Sequence, residues 1–372
     1  MRRRIAIFIA IAQTVQFLGH WFIYESWVRF WNLPDVLGRA PLVALRIAMA
    51  VLSISFVGTS VLGFRSYGRA VRVLYTIAAA WLGALNYLFF AACGCWIVYG
   101  AALLGRLHIA MGGVAFVLFG AALAVSLYGM VNAAWTRVTR ISVRLPNLPA
   151  AWRGRVAALV SDTHLGHVRN VGFLRRVVRT LARLAPDVVF ITGDLFDGTA
   201  CDPVRMAKPL ADLRAPLGAY FITGNHEEFF DPRKYVEAVE SAGVRVLKNE
   251  KVIVDDLQIA GVMYSDSTDA EHFRSVLRRI AVDREHASVL LLHAPDRLAI
   301  AAEEGISLQL SGHTHGGQFL PWTWVTSRIY GPYVHGLQRF GALTIFTTWG
   351  AGTWGPPLRV GTKPEIVLIT FE

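Results

Sequence analysis

Charged residues are scarce in this chain of 372 residues: 17% are Asp, Glu, Lys or Arg, whereas 54% are hydrophobic. An average globular domain carries about 25% charged residues. The scarcity is uneven, because residues 1–150 contain only two acidic side chains, Glu25 and Asp35, and no lysine. This composition argues against an ordinary soluble domain in the first part of the chain and favours membrane-spanning helices.

Cysteine is also rare. The three cysteines are Cys93 and Cys95, inside an apolar run, and Cys201, in a predicted loop. They form neither a CxxC pair nor an even set at regular spacing, so the sequence argues against a disulfide framework or a thiolate metal site. We expect all three to be small apolar filler.

A basic excess is missing from the second part of the chain. Residues 1–150 hold thirteen arginines against two acidic residues, which accounts for the whole net charge of +11. Residues 151–372 hold 24 basic and 24 acidic residues, so their balance is zero. A nucleic-acid-binding surface normally leaves a basic excess. No nucleic-acid partner is therefore predicted, and no protein partner either.

Four long apolar stretches precede residue 135, and each reaches the roughly 20 residues that a helix needs to cross the hydrocarbon core. The first follows Arg2, Arg3 and Arg4, as a signal peptide would, but it lacks a small-residue cleavage site. A buried helical bundle is the alternative to membrane spans. We predict a four-helix transmembrane domain over 1–140. The stretches are 5–24, 41–64, 73–100 and 109–133.

Basic residues beside the predicted spans indicate the orientation. With four spans, nine arginines lie on one side and three on the other. Cytoplasmic loops carry the excess of Lys and Arg. We therefore expect a multi-pass protein of a bacterial inner membrane with its C-terminal domain in the cytoplasm. If one of the four predicted stretches did not cross the membrane, the predicted orientation would be reversed. The nine are Arg2, Arg3, Arg4, Arg65, Arg69, Arg72, Arg137, Arg140 and Arg144, and the three are Arg29, Arg39 and Arg106.

The pattern changes after the predicted spans. Residues 141–154 contain Pro146, Pro149 and Gly154, which predicts a linker. From residue 155 to 372, short β-branched runs alternate with amphipathic segments, which is typical of an α/β layered domain. The predicted strands are 156–161, 187–192, 219–223, 244–247, 251–254, 257–262, 288–293, 306–311, 342–347 and 365–371, and the predicted helices are 170–185, 203–214, 232–242, 269–281 and 295–304.

Polar residues follow five of these strands. Ligands of open α/β sheets bind outside the carboxyl ends of the strands, so five loops could converge on one site. Taken alone each signal is weak, since a Gly-Asp pair is usually a turn and a lone histidine is usually a core residue. The five blocks are Ser161–His164, Gly193-Asp194, Gly224–Glu227, His293 and Gly312–Gly317.

The residue types in these blocks favour a pair of borderline metal ions. Carboxylates and imidazoles without thiolates suit Mn, Fe, Zn, Co or Ni. Asp162 and His164 are two residues apart, as are His313 and His315, so each pair can serve adjacent ions. One carboxylate can bridge two ions, and we expect Asp194 to do so. The sequence thus predicts two divalent cofactor ions.

The five blocks together resemble those of a known family. Asp-x-His, Gly-Asp, Gly-Asn-His-Glu, His and Gly-His-x-His are similar to the five blocks of the calcineurin-like metallophosphoesterases. The resemblance covers about 155–372. Gly312–Gln318, Trp354–Arg359 and Pro364–Ile366 further resemble a membrane-associated bacterial branch, whose members often carry N-terminal transmembrane helices. The fold implied is an α/β (α+β) two-sheet β-sandwich flanked by helices.

The family pattern implies a role for each matching residue, and no ligand block is missing here. Asp162, His164 and His315 would hold the first metal, Asp194 would bridge, Asn225, His293 and His313 would hold the second metal, and His226 would be catalytic beside the phosphate without binding metal. Asp197 and Glu227 are expected to support the ligands or lie in loops.

The expected activity is metal-dependent phosphoester hydrolysis. Two ions lower the pKa of a bridging water, and the hydroxide attacks phosphorus. Location at a membrane favours a lipid or lipid-linked substrate. The alternatives are a soluble phosphodiester, a transporter or sensor with a regulatory phosphoesterase domain, and a non-catalytic scaffold. The stretch Phe319–Val325 is either a hydrophobic lip for a lipid chain or plain packing.

Overall fold

The computed structural model describes residues 2–372, which form two compact units. The first unit runs to Val131 and includes Gly355–Leu358, and the second comprises Asn132–Trp354 and Arg359–Glu372. The second unit therefore starts within the last long helix of the N-terminal part and contains all of the predicted site residues.

The N-terminal part is helical. Among the described residues, three helices are long and apolar enough to cross a membrane by length and composition, namely α3, α4 and α5. The first helix, α1, covers the predicted span 5–24 but is not among these three. That this helix also crosses the membrane stays a prediction. The helices are α1 (Arg2–Phe30), α2 (Leu33–Leu37), α3 (Arg39–Arg65), α4 (Arg69–Leu104) and α5 (Met111–Ala134).

The second unit contains two six-stranded sheets, ordered β1-β12-β2-β3-β4-β5 and β10-β11-β9-β8-β7-β6 among the described residues. All ten predicted strands are confirmed within one to two residues of their predicted bounds. The strands are β1 (Arg137–Val143), β2 (Val156–Val160), β3 (Val188–Thr192), β4 (Ala219–Ile222), β5 (Arg245–Val246), β6 (Glu250–Val254), β7 (Leu257–Gly261), β8 (Ser288–Leu291), β9 (Leu308–Ser311), β10 (Gly336–Phe340), β11 (Leu343–Thr347) and β12 (Glu365–Phe371).

Helices flank the sheets, and capping side chains fix three of their starts, including those of α6 and α10. The Asn170 side chain accepts from Gly172 N at the start of α6, and Asp269 accepts from His272 N at the start of α10. Such a cap stabilises a helix by about 1 kcal/mol. The helices are α6 (Val171–Leu184), α7 (Pro203–Ala207), α8 (Arg233–Ser241), α9 (Tyr264–Ser267), α10 (Ala270–Ile280), α11 (Leu298–Glu303) and α12 (Trp322–Tyr330).

The main core lies between the two sheets. Phe190 and Ile222 of one sheet and Ile259, Leu291 and Leu310 of the other belong to one buried cluster. β2 and β3 are buried on both faces, which explains their nearly continuous apolar sequence. The shared core confirms the predicted two-sheet fold. Within each sheet, neighbouring parallel strands have their carboxyl ends at the same edge.

The structure corrects the predicted linker. Residues 141–143 are the end of β1, which pairs in parallel with β12, and Trp152 is fully buried. The segment 141–154 is thus packed into the sandwich instead of being a free connector. The sequence missed β1 because an edge strand keeps polar residues on its open side, here Arg140 and Ser142.

Further differences are local. The helix predicted to open at Pro295 begins at Leu298, because Arg297 has φ 58°, which lies outside the right-handed helical region. The structure also contains α12, in a segment for which no helix was predicted. Its nine residues are rich in aromatic and β-branched side chains, which weakens the helical pattern.

Candidate metal centre

The five predicted blocks meet at the carboxyl edge of the sheets. β2, β3 and β4 are parallel neighbours in one sheet, and β8 and β9 are parallel neighbours in the other. Each is followed by the loop that carries its block. The structure therefore brings all seven predicted ligands and His226 into one cluster.

The first donor group contains Asp162, His164 and His315. The His164 and His315 Nε2 atoms are 2.8 Å apart. Asp162 Oδ1 lies 3.5 Å from His315 Nε2 and 3.9 Å from His164 Nε2. Two atoms bound to one ion at about 2.0–2.2 Å lie at most about 4.4 Å apart, so this group fits around a single ion.

Asp194 lies between this group and the next. Its Oδ2 atom is 3.7 Å from His164 Nε2, 3.3 Å from His293 Nε2 and 3.8 Å from His226 Nε2. Its other oxygen, Oδ1, accepts a hydrogen bond from His226 N at 2.9 Å. A carboxylate in this place can contact two ions at once.

The second donor group contains Asn225, His293 and His313. Asn225 Oδ1 lies 3.1 Å from His293 Nε2 and 2.9 Å from His313 Nδ1, and the two ring nitrogens are 3.2 Å apart. These spacings again match ligands of one ion. The donors are amide, carboxylate and imidazole groups, buried except for the half-buried Asn225 and His313, and these types suit a borderline divalent metal.

Backbone conformation aims several of these side chains. Asp162, His164, Asp194, His313 and His315 all have φ between 47° and 68°. Residues with a Cβ adopt this left-handed region at a cost of roughly 1–2 kcal/mol each. Such a concentration of strained residues is typical of a functional site.

Two glycines allow the loops to approach this closely. A Cβ at Gly224 would lie 2.2 Å from Asp194 Oδ1 and 2.8 Å from His293 Cε1. A Cβ at Gly312 would lie 2.1 Å from Ser161 Oγ and 2.2 Å from Asp162 Oδ2. Any larger residue at either position would displace a predicted ligand or its support.

Backbone carbonyls orient two of the imidazoles. His293 Nδ1 lies 2.7 Å from Thr192 O, and His226 Nδ1 lies 2.8 Å from Asp197 O. A carbonyl only accepts, so each Nδ1 carries a proton and donates it. Each Nε2 is thereby directed to the cluster, where His293 can offer a lone pair to a metal and His226 remains beside Asp194.

The Glu227 side chain connects two of the loops. Its Oε2 accepts from Asp194 N at 2.9 Å and from Gly224 N at 2.7 Å, and its Oε1 accepts from Phe196 N at 2.8 Å. Burial, followed by the nearby Asp194 charge, raises the pKa of Glu227 to about 8. Glu227 thus fixes the loops after β3 and β4 relative to each other.

Arg359 supports His315 in a similar way. Its fully buried guanidinium donates to His315 O at 2.8 Å, Trp349 O at 2.8 Å and Gly352 O at 2.7 Å, and it lies 3.0 Å from His315 Nδ1. Burial lowers its pKa to about 9. The motif Trp354–Arg359 contained this residue, but only the tertiary contacts reveal what it does.

Most of the histidines are held in the form that binds metal. Burial lowers the pKa of His164 and His315 well below the usual value and that of His313 to about 4, so all three are neutral near pH 7. Burial alone would raise the pKa of Asp194, but His293 and His226 outweigh it and lower the pKa. Burial alone would lower the pKa of His293, but Asp194 outweighs it and raises the pKa.

Two aromatic rings lie beside His226, and the sequence did not predict this placement. The ring of Phe229 is 4.4 Å from that of His226, and the ring of Trp354 is 5.6 Å from it. Phe229 is 46% exposed and Trp354 is 57% exposed. We call these two residues the aromatic rim. Their exposed rings form an apolar surface beside the predicted catalytic histidine, His226.

Comparisons with known proteins agree with this arrangement. A family model described as calcineurin-like phosphoesterase matches residues 156–317. This span contains all seven predicted ligands and His226.

Three relatives illustrate the similarity. A transmembrane protein with metallophosphoesterase domain from Danio rerio is 33% identical over 66% of this chain and 60% of its own length. A metallophosphoesterase from Campylobacter jejuni is 31% identical over 66% of this chain and 66% of its own length. A metallophosphoesterase from Aquifex aeolicus is 31% identical over 66% of this chain and 95% of its own length. The chain thus spans less than two thirds of the first relative and nearly all of the third.

Proposed function

The chain belongs to the calcineurin-like phosphoesterase family, and from this membership we propose that its metal centre hydrolyses a phosphoester bond of a lipid or lipid-linked substrate at a membrane. One observation carries the hydrolytic part: the carboxylate of Asp194 lies between two groups of metal-type donors, 3.7 Å from His164 Nε2 and 3.3 Å from His293 Nε2.

The geometry supports two divalent ions, of Mn, Fe, Zn, Co or Ni type. Two such ions neutralise charge on phosphoryl oxygens and make a water molecule more acidic. Asp162, His164 and His315 would hold one ion, Asn225, His293 and His313 the other, and Asp194 both.

His226 is proposed to act on the leaving group. Its Nδ1 donates to Asp197 O, so Nε2 is the nitrogen that faces the cluster, 3.8 Å from Asp194 Oδ2. When protonated, Nε2 can donate a hydrogen bond to a phosphoryl oxygen or a proton to the departing alkoxide. The hydrogen bond to Asp197 O would keep the His226 ring directed at the phosphate during the reaction.

The aromatic rim favours an apolar leaving group. Phe229 and Trp354 present exposed ring surface directly beside His226, where the leaving group of the substrate would lie. Three apolar helices in the same chain indicate membrane association. Together these features favour a substrate that carries acyl chains over a soluble diester.

The arginine distribution supports a cytoplasmic location for this site, on the inner membrane of a bacterium. The proposal depends on α1 crossing the membrane as a fourth span. Labelling of a cysteine introduced at exposed Val204 in intact cells, with a membrane-impermeant maleimide, tests it. Protection in intact cells and labelling after lysis agree with the proposal, and labelling of intact cells contradicts it.

The substrate class can be tested with the full chain in lipid nanodiscs. Two substrates are offered separately, bis(p-nitrophenyl) phosphate and a total bacterial lipid extract analysed by mass spectrometry. The matched variants are Asp194→Asn and, as a control on an exposed carboxylate, Asp212→Asn. We expect lipid phosphoesters to be lost with the wild-type chain and Asp212→Asn, but not with Asp194→Asn.

The two parts of the proposal fail separately in this experiment. Hydrolysis of the soluble diester alone contradicts the lipid substrate and leaves the hydrolytic centre in place. Turnover that survives Asp194→Asn contradicts the metal centre itself.

A further inference from the structure

Helix α12 is unusual among the helices of the second unit. None of its nine residues is buried, whereas α6, α7, α8, α10 and α11 each bury at least two side chains. Its exposed residues include Trp322, Trp324, Val325 and Ile329, with Trp324 at 59% and Ile329 at 69% exposure. An apolar surface of this kind marks an interaction site rather than a solvated helix.

Hydrogen bonds connect the segment that precedes α12 to the end of α5, the last candidate span. Asn132, in the final turn of α5, donates to Arg359 O at 2.8 Å and to Thr362 O at 2.9 Å. Thr362 Oγ1 in turn donates to Gln318 O at 2.7 Å. All four residues belong to the second unit.

The same short segment, residues 359–362, also lies beside the start of α12. Val360 N donates to Gln318 O at 3.1 Å. A Cβ at Gly361 would lie 3.6 Å from Thr323 Cγ2 and 3.8 Å from Leu320 Cγ. The start of α12 is therefore one segment away from the point where α5 ends, which is where a spanning helix leaves the hydrocarbon core.

The charge of this region suits an anionic surface. The sequence from Gly305 to Pro364 contains no Asp or Glu, although it includes Arg328, Arg339 and Lys363. Anionic lipid headgroups attract basic side chains and repel carboxylates. Within this stretch of the sequence, no carboxylate offsets these basic side chains.

A matching pair of aromatic contacts occurs at both places. Arg137 lies over the ring of Trp135 at 4.7 Å, immediately after α5, and Arg328 lies over the ring of Trp324 at 4.5 Å, on α12. Tryptophan and arginine are typical of the membrane–water interface, where the ring meets apolar chains and the cation meets headgroups.

We propose that α12 lies in the interface of an anionic bilayer, with Trp322, Trp324 and Ile329 among the headgroups and upper acyl chains. The proposal concerns where the domain rests, so it goes beyond the proposed function and does not depend on the substrate. It also has a structural consequence, because the Tyr330 ring at the end of α12 is 6.1 Å from the ring of His313. The metal centre would then open beside the lipid surface.

Site-directed fluorescence can test this contact in the full chain. Cys93, Cys95 and Cys201 are first replaced by Ala. A single cysteine is then introduced as Ile329→Cys on α12 or, as a matched control, as Ile253→Cys on β6, where the isoleucine is 65% exposed. Each is labelled with an environment-sensitive dye and reconstituted into vesicles of phosphatidylcholine and phosphatidylglycerol in equal amounts.

Two quenchers distinguish lipid from water. Spin-labelled lipid is expected to quench most of the fluorescence at position 329 and little at position 253. Iodide in the water is expected to quench little of the fluorescence at position 329 and most of it at position 253. Equal quenching at both positions would overturn the proposal. Protection of position 329 from both quenchers would also overturn it, because it would indicate a protein partner such as a second copy of the chain.

A charge variant tests the anionic part with a surface residue. Arg328→Glu in the Ile329→Cys background should weaken lipid quenching in the anionic vesicles, whereas Arg183→Glu on α6 should leave it unchanged. No difference between the two variants would contradict the role of an anionic surface. Retained metal content in each labelled chain shows that the variants remain folded, and no readout here depends on turnover.

Discussion

Arg359 donates a hydrogen bond of 2.8 Å to the carbonyl oxygen of His315, and its guanidinium also lies 3.0 Å from Nδ1 of that imidazole. One buried cation thus fixes both the backbone and the ring of a predicted metal ligand. The contact joins the Trp354–Arg359 motif to the loop after β9.

Arg359→Lys should weaken binding at the metal position nearest His315. A lysine cannot reproduce the forked contacts to His315, Trp349 and Gly352. Loss of such a supporting contact typically costs about 10–100-fold in metal affinity. Metal titration of the full chain measures this, with exposed Arg339→Lys as the control. Equal affinities in the two variants would show that Arg359 does not position the ligand.

Alanine at the aromatic rim should impair lipid turnover selectively. Phe229→Ala with Trp354→Ala removes apolar surface worth about 1–3 kcal/mol to a bound acyl chain. We expect kcat/KM to fall by about 5- to 150-fold for a lipid phosphoester and to change little for bis(p-nitrophenyl) phosphate. Val204→Ala, at an exposed position of α7, provides the control. An equal loss on both substrates would mean that the rim supports the metal centre rather than the substrate.

Metal binding should release protons near neutral pH. Asp194 raises the pKa of His293, so this imidazole is protonated in the metal-free protein, and a metal ion must displace that proton. Metal affinity should therefore increase as pH rises. Calorimetry in buffers of different ionisation enthalpy measures about one proton released from this ring. Binding without proton release would contradict the pairing of His293 with Asp194.

The stability of the domain should fall in acid partly through Glu365. Burial alone would raise its pKa, but contacts from His335, Thr139 and Trp349 N outweigh burial and lower it. Because the folded pKa lies below the unfolded value of about 4.3, this contribution is present above that pH and is lost as pH falls through the folded pKa.

Thermal unfolding between neutral and acidic pH checks this prediction. Glu365→Gln should show a smaller loss of melting temperature on acidification than the wild-type chain. Glu237→Gln, on the exposed face of α8, should behave like the wild type. Identical pH profiles for all three would contradict a role for Glu365.

The sequence predicted what depends on local pattern. Strands such as Val188–Thr192 are continuous apolar runs, and the ligand blocks follow them directly, so both could be recognised without tertiary contacts. The contacts of Arg359 and Glu227 could not, because their partners are backbone groups from distant loops. α12 was missed for a different reason, since its apolar residues face outward and contribute no core pattern.

The most direct test of the dinuclear hydrolytic centre combines elemental analysis with turnover of bis(p-nitrophenyl) phosphate by the full chain and its Asp194→Asn variant. We predict two equivalents of divalent metal and measurable turnover in the wild-type chain. The variant should lose metal and turnover together, because Asp194 Oδ2 lies within 3.3–3.8 Å of imidazoles from both donor groups and of His226. Unchanged turnover in Asp194→Asn would contradict the account.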